Sequence, residues 1–483
     1  MLFTDSAFLL RFLPPLLALF FIAVALTPRS WRAGARRFSL ANAVLLAGSI
    51  VFLLGGVGAF IRLIAASVLF NYVVALAIGW ARGVGASSAR PTPLPEALLT
   101  LALTGNVVLL GVYKFAVPLG ADLDRFAERS FAVPQLLAPL GLTVITCHAI
   151  SYVVDVYRGQ TPHQASPIRA SLYLVCFPLL CAGPLVRYSE MGPQLADRRV
   201  TMAAFAYGVR RWLVGLCKVV LLANTLGVPA AAVFAMPASE LGTLQAWLGA
   251  VCFALQIYFD LSGYSDMAIG FMRMFGFRLS ENFRWPYGAK TLTEFWRRWN
   301  ISLIDWCRGY LGLSLENVAE RRMLRALRLF VLFLCVGLWH GPGWNVMLWG
   351  LLHGVVVALE QGGLGARLRR LPAAMGHAYL LLVVLCLWVV FRAASPAGAV
   401  VMLRAMAGFT SAAAPSSLVL TPLQWTALMT AALAVVPIWP GFSRWIVTVD
   451  ALTTSTLILV STSCIFVWRR IATLALALTG RRR

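Results

Sequence analysis

Trp339-His340-Gly341-Pro342-Gly343-Trp344-Asn345 sets an imidazole and a helix-breaking Gly-Pro-Gly step inside the apolar stretch from Leu329 to Glu360. Polar side chains are costly within a bilayer, so a His there points to a cavity or pathway and to a partner that satisfies it. From Leu329 to His340 is eleven residues, about 16 Å of helix, which reaches roughly the membrane midplane from the cytoplasmic face. The glycines and the proline then end the helix. Non-helical backbone at that depth is tolerated only where protein or a water-filled cavity surrounds it. The stretch therefore predicts a cavity beside His340, and a chain that can turn back there.

The rest of the chain fits a membrane setting. With 60% hydrophobic residues, 12% charged residues and mean hydropathy +0.80 over 483 positions, it cannot be an ordinary soluble globule. Apolar windows long enough to span the hydrocarbon lie near 7 to 27, 40 to 61, 63 to 81, 95 to 116, 134 to 156, 168 to 188, 241 to 269, 329 to 360, 376 to 394, 423 to 441 and 451 to 468. Another, near 204 to 226, is interrupted by Arg210, Arg211 and Lys218. These windows predict an all-α polytopic membrane protein with roughly 10 to 12 membrane helices, several broken or re-entrant around a central cavity. The first window has no basic leader or Ala-x-Ala-like site and is interrupted by Arg11, so it reads as a retained helix.

The 41 basic residues against 18 acidic ones would suggest nucleic acid in a soluble protein. Here they cluster in short connections, such as Arg29, Arg32, Arg36 and Arg37, or Arg82 and Arg90, as the positive-inside rule predicts for cytoplasmic loops. No nucleic-acid partner is expected. The N-terminus then lies outside, 117 to 133 lies on the outer face, and 270 to 328 is cytoplasmic. Arg367 to Arg370 and Arg469 with Arg470 cannot both be cytoplasmic if every window crosses once, so part of the chain must re-enter.

Nine cysteines, mostly within apolar windows, read as small buried hydrophobes, and with five scattered histidines they offer no metal constellation. The chain has no Gly-x-Ser-x-Gly elbow, no Walker A loop and no dinucleotide fingerprint. Chemistry must come from polar residues in or near the membrane.

Three stretches stand out. The first, Phe259 to Asp266, places Asp260 and Asp266 at the end of an apolar window, where they either cap helix ends against arginines such as Arg273 or act directly. The second, Ser280 to Tyr287 leading into Glu294-Phe295-Trp296-Arg297-Arg298-Trp299-Asn300-Ile301-Ser302, reads either as an interfacial anchor or as a surface on which an Arg pair, Arg297 and Arg298, holds the phosphates of a cytosolic donor. The third is the His340 segment. A neutral imidazole there could take a proton from a bound hydroxyl as a general base, or could serve packing alone. His353 reads as a pore or packing residue.

These stretches resemble the membrane-bound O-acyltransferases, and specifically their bacterial branch. The resemblance covers Ser67 to Gly79, Gly141 to Gly159, Phe177 to Arg187, Asp260 to Gly270, Glu294 to Tyr310 and Gly337 to Gly354. It implies one integral membrane acyltransferase domain, with N-terminal helices in 1–133, a catalytic core in 134–360 and C-terminal helices in 361–483. It also implies acyl transfer from a cytosolic thioester such as acetyl-CoA to an acceptor on the outer side of the inner membrane. A periplasmic SGNH-like partner and polysaccharide synthesis machinery often accompany it.

The family's catalytic histidine falls on His340, with Asn300 as the second catalytic position. Arg297, Arg298, Trp339, Asp260 and Asn345 are candidates for binding substrate or donor. The chain departs from the bacterial pattern at two places. Asn300 stands where His is usual, and Arg308-Gly309-Tyr310 stands where Arg-Asp-Tyr is usual. An Asn forty residues before the His resembles the wider superfamily. The acceptor implied is an exported polysaccharide, with a lipid, peptidoglycan or other envelope component as the alternative. A proton-relay transporter is the reading from another class.

Overall fold

The computed structural model describes residues 3–27, 37–87, 93–116, 141–181, 183–313, 315, 322–410 and 419–435. The predictions for 117 to 133 and 451 to 468, and for Arg29, Arg32, Arg36, Arg90, Cys464, Arg469 and Arg470, lie outside those residues. Within them the regular structure is helical, with no strand.

The helices are α1 (Leu13–Ala25), α2 (Ser39–Val57), α3 (Ile61–Ser87), α4 (Leu94–Gly111, wound on to Ala116), α5 (Leu142–Tyr157), α6 (Pro167–Val175), α7 (Phe177–Leu180) and α8 (Tyr188–Ala196). Then come α9 (Met202–Cys217), joined through Lys218–Ala223 to α10 (Asn224–Phe234), α11 (Thr243–Met274), α12 (Leu292–Trp296) and α13 (Ile301–Leu311). The last are α14 (Arg322–His340), α15 (Trp344–Leu359), α16 (Gly365–Arg370), α17 (Ala373–Arg392), α18 (Pro396–Met406) and α19 (Pro422–Val435).

Among the described residues nine helical stretches are long and apolar enough to cross a membrane. Leu69, Trp80 and Val107 expose most of their apolar surface along these spans, as lipid-facing side chains would. Two of the expected windows are divided and a third is part of a longer stretch, each for a local reason. The window 168 to 188 is not one span, because the backbone leaves the helix at Cys176 and again after Leu180 and becomes α6, α7 and an irregular segment. The window 329 to 360 is two helices, and the interrupted window 204 to 226 belongs to one continuous 33-residue stretch, Met202–Phe234.

That stretch tolerates its charges because its partner neutralises them. A Cβ on Gly208 or Gly215 would fall 2.6 Å or 2.5 Å from the carbonyls of Gly270 and Gly263, so α9 and α11 approach backbone to backbone. This close crossing brings Arg211 Nε within 2.8 Å of Asp266 Oδ1, and Lys218 Nζ within 2.7 Å of Asp266 Oδ2. Arg211 Nη1 also donates to Glu281 Oε1 at 2.8 Å. Asp266 is thus paired with Arg211 and Lys218, not Arg273. Asp260 and Asp266 both lie inside α11, not at a helix end as the sequence suggested.

The basic connections meet at one face. Arg37 pairs with Asp197 at 3.2 Å, and the Arg198 guanidinium lies between the Phe38 and Phe277 rings at 4.4 and 4.2 Å. Burial pushes the Arg198 guanidinium down to about 9. On the same face Arg82 donates to the carbonyl of Val156, Tyr157 to Glu96, and Arg158 to the carbonyl of Gly309.

Candidate active site

The site begins with a hairpin. α14 and α15 pack antiparallel, so closely that a Cβ on Gly337 would lie 2.5 Å from the Val346 carbonyl, and Gly341, Pro342 and Gly343 form the turn between them. The break predicted from Gly-Pro-Gly is present, and the chain does return. α14 starts at Arg322, however, so His340 lies about 27 Å along it at 1.5 Å per residue. Lys114, eighteen residues after Glu96 on α4, donates to the Trp339 carbonyl. The hairpin tip is therefore at the opposite end of α4 from the face that gathers the arginines, beyond the midplane estimated from Leu329.

His340 ends α14. Its ring meets Trp349 at 5.5 Å and Phe391 at 5.1 Å between centroids, each at 89°. Two perpendicular rings from α15 and α17 hold the imidazole plane. The residue lies deep among protein atoms, yet it keeps exposed surface. It has no hydrogen-bond partner among the described residues, so its ring nitrogens are open to a bound molecule.

A row of indoles continues from His340. Trp349 stacks on Trp388 at 5.6 Å and 20°, and Trp388 packs against Trp299 at 5.1 Å. Asn300 follows. Its backbone is left-handed, with φ 45° and ψ 53°, and it caps the start of α13 without using its side chain. The next residues are tied down by Asn282, whose carbonyl accepts from Ile301 N at 3.0 Å and whose Oδ1 accepts from Ser302 N at 3.0 Å. The Asn300 carboxamide is half-buried and unpartnered among the described residues. Asn300 and His340 share the edges of one aromatic cluster but do not hydrogen-bond to each other.

The remaining candidates separate. Arg298 pairs with Glu294 and reaches the Trp285 carbonyl, whereas Arg297 is exposed and lines a small cavity with Asp305 and Arg308. Trp339 lies beneath the Lys114 ammonium, 5.8 Å from its ring centre. Asn345 is buried and donates to the Ala393 carbonyl, fastening the start of α15 to the end of α17. Asp260, half-buried in mid-helix, has no ion pair among the described residues. His353 is buried between Trp296, Phe333 and Trp349, with Nδ1 2.8 Å from the Trp349 carbonyl, so it packs the floor of the site. Cys147, Cys176, Cys252 and Cys307 are buried and unbridged.

Lys114 is the site neighbour that sequence reasoning passed over. The signal was available, since an ammonium within an apolar window is as costly as an imidazole.

The family model for MBOAT, membrane-bound O-acyltransferase family, matches residues 156–395, a range that holds both Asn300 and His340. The "Probable alginate O-acetylase AlgI" of Azotobacter vinelandii is 37% identical over 403 residues, covering 81% of this chain and 75% of that protein. The chain belongs to the membrane-bound O-acyltransferase family. It is a multi-pass membrane enzyme that transfers acyl groups to oxygen, which sets aside the proton-relay transporter. The "Peptidoglycan O-acetyltransferase" of Helicobacter pylori is 30% identical over 72% of this O-acyltransferase and 70% of its own length. The "Teichoic acid D-alanyltransferase" of Bacillus subtilis is 25% identical over 46% of this chain and 59% of its own.

Proposed function

We propose that this enzyme, as one acyltransferase domain in the bacterial inner membrane, transfers an acetyl group from acetyl-CoA or a related cytosolic thioester to a hydroxyl of an exported polysaccharide. The observation that carries the reading is the open imidazole of His340, unpartnered among the described residues, at the tip of a helical hairpin between Trp349 and Phe391. His340 takes the proton of the acceptor hydroxyl as its oxygen attacks the thioester carbonyl. The C–S bond breaks, and the leaving thiolate takes that proton from His340 and departs as the thiol. Asn300, across the indole row, donates a hydrogen bond to the reacting carbonyl or orients the acceptor.

The donor-facing roles of Arg297 and Arg298, the placing of Trp339 and Asn345 around the reacting groups, and a part for Asp260 belong to the same proposal. So do hand-off to a periplasmic SGNH-like acetyltransferase and association with polysaccharide synthesis machinery. Relatives named for alginate and peptidoglycan O-acetylation support a polysaccharide acceptor; the relative named for teichoic acid supports another envelope component as the second reading. The test is release of free thiol from acetyl-CoA by the purified protein in lipid nanodiscs, with and without polysaccharide. Release that depends on acceptor supports the reading, and an inert donor overturns it.

A further inference from the structure

We infer that Glu360 is a positioning residue for the reaction: its side chain locks the short helix that leads to Asn300 onto the hairpin that carries His340, and so fixes where the two stand relative to each other. The inference rests on the reading of His340 and Asn300 as the reacting pair.

Glu360 directly follows α15 and is buried. From Trp344 to Glu360 is sixteen residues, about 24 Å of helix, so the side chain lies at the opposite end of the hairpin from His340. A carboxylate buried there is costly unless hydrogen-bond donors surround it. Both of its oxygens are occupied. Oε1 accepts from Leu292 N at 2.7 Å and from the Tyr379 hydroxyl at 3.1 Å, and Oε2 accepts from Thr293 N at 2.8 Å and from the Thr293 hydroxyl at 2.6 Å. None of the four donors is cationic.

Leu292 and Thr293 open α12. The first N–H groups of a helix have no partner within it, and the residue just before the helix usually supplies one. Thr291 does so here for Glu294 N at 3.2 Å. The two amides between are satisfied from 68 and 67 positions away. A neighbouring cap only stabilises a helix, whereas a cap carried on another element also fixes that helix in space. With five residues, α12 is too short to hold its own shape or place. Trp296 ends it, packed on Trp349 at 5.9 Å and on His353 at 5.3 Å, and Trp299 and Asn300 follow within about one further turn. The Tyr379 hydroxyl adds α17, the helix of Trp388 and Phe391. One side chain therefore joins the three elements around His340 and Asn300.

Glutamine cannot do the same. A main-chain N–H only donates and one meets each oxygen, so a carboxamide would turn its NH2 on one of them. Glu360→Gln thus frees the start of α12 with little change in volume. Because a misplacement of about 1 Å can cost on the order of a hundredfold, kcat for thiol release from acetyl-CoA, per folded protein, should fall about ten- to a hundredfold with KM held within about twofold. In an Asn300→Gly background the same substitution should cost less than about threefold, because the group it places is gone. A loss of stability alone would lower both backgrounds equally. If Glu360→Gln does not purify as a monodisperse species, Thr293→Val/Tyr379→Phe, which removes two of the four donors, carries the same comparison and should show a smaller fall of the same pattern.

An unchanged kcat, a change confined to KM, or an equal fall in the Asn300→Gly background overturns the inference and leaves the roles of His340 and Asn300 standing. Parental kcat in Asn300→Gly alone removes Asn300 from the chemistry, and the inference with it. If the parent releases no thiol, the donor reading fails by itself and hydrogen exchange decides the rest: faster exchange confined to 291–302 in Glu360→Gln upholds the lock, and unchanged exchange there overturns it.

Discussion

The Lys114 ammonium donates to the main-chain carbonyl of Trp339, the residue immediately before His340. It also reaches Thr143 Oγ1 at 3.2 Å and lies over the Trp339 ring. The last carbonyls of a helix have no intrahelical partner, and a cation there also opposes the negative end of the helix dipole. Lys114 thus closes the end of α14 and sets where the imidazole stands.

Lys114→Met keeps the length and apolar packing of the side chain but removes its charge. Loss of a charged hydrogen bond of about 1.5–3 kcal/mol predicts acyl transfer lower by about ten- to a hundredfold, chiefly in kcat. Lys114→Arg should recover part of it. Steady-state kinetics of thiol release on the two variants would show this, and an unchanged kcat in Lys114→Met would remove the positioning role.

His340→Ala removes the base and leaves Trp349 and Phe391 in place. General-base catalysis contributes roughly 10² to 10⁴ in rate, so transfer should fall at least about a hundredfold while membrane abundance is maintained. Near-normal transfer would eliminate the base, and a fall in abundance alone would make His340 a packing residue.

The two aspartates of α11 should behave in opposite ways. Asp266, side chain 10% exposed, faces Arg211 and Lys218, and removing one partner of a buried pair costs about 3–5 kcal/mol. Asp266→Leu should therefore lower the thermal midpoint and the yield. Asp260→Asn breaks no ion pair among the described residues, and its unfolding should move by less than about 0.5 kcal/mol. Reduced transfer with retained stability in Asp260→Asn would keep it among the site residues; unchanged transfer would remove it.

The hairpin was legible because Gly-Pro-Gly ends a helix through covalent geometry, which no tertiary context alters. The Met202–Phe234 stretch was harder to read, since Arg210, Arg211 and Lys218 lower its apparent apolarity. For Arg211 and Lys218 the compensation comes from Asp266 and Glu281, 48 to 70 positions away. Hydropathy counts charges one helix at a time, whereas the membrane sees the neutralised cluster. The same locality misplaced Asp260 and Asp266 at a helix end, because polar residues in a row look like a boundary when their partners are out of view. The window 168 to 188 failed for the opposite reason: it has enough apolar residues for a span, but Pro178 and the extended backbone at Cys176 divide it. His340 was visible by residue type and spacing. Lys114 becomes significant only through contact with Trp339.

Gly309 stands where the bacterial pattern has Asp. A Cβ at this position would lie 3.1 Å from Arg187 Nη2, the far end of a flexible side chain, so a carboxylate there would meet that guanidinium. Removing a helix-interior glycine itself gives about 0.5–1 kcal/mol, and an accessible ion pair adds up to about 1 kcal/mol. Gly309→Asp should raise the thermal midpoint, and Gly309→Ala should raise it less. Differential scanning fluorimetry in detergent would measure both, and a lower midpoint for Gly309→Asp would mean that Arg187 cannot move from the Asp305 carbonyl to which it donates.

Asn300 requires a control that its sequence position alone would not suggest. Its φ of 45° is a left-handed conformation that Asn tolerates better than most residues, so Asn300→Ala removes the carboxamide and strains the backbone together. Asn300→Gly removes the carboxamide without that strain. If the side chain orients the acceptor or the thioester carbonyl, both variants should lose about one to three orders of magnitude in turnover, less than His340→Ala, and only the alanine variant should also unfold at lower temperature. Asn300→His restores a donor and the residue usual at this position in the bacterial pattern, and it should retain more transfer than either. Were Asn300→Gly to match the parent in thiol release, the contribution of this position would be its backbone turn, and the left-handed start of α13, rather than the carboxamide, would be what holds the Trp299 ring against Trp388.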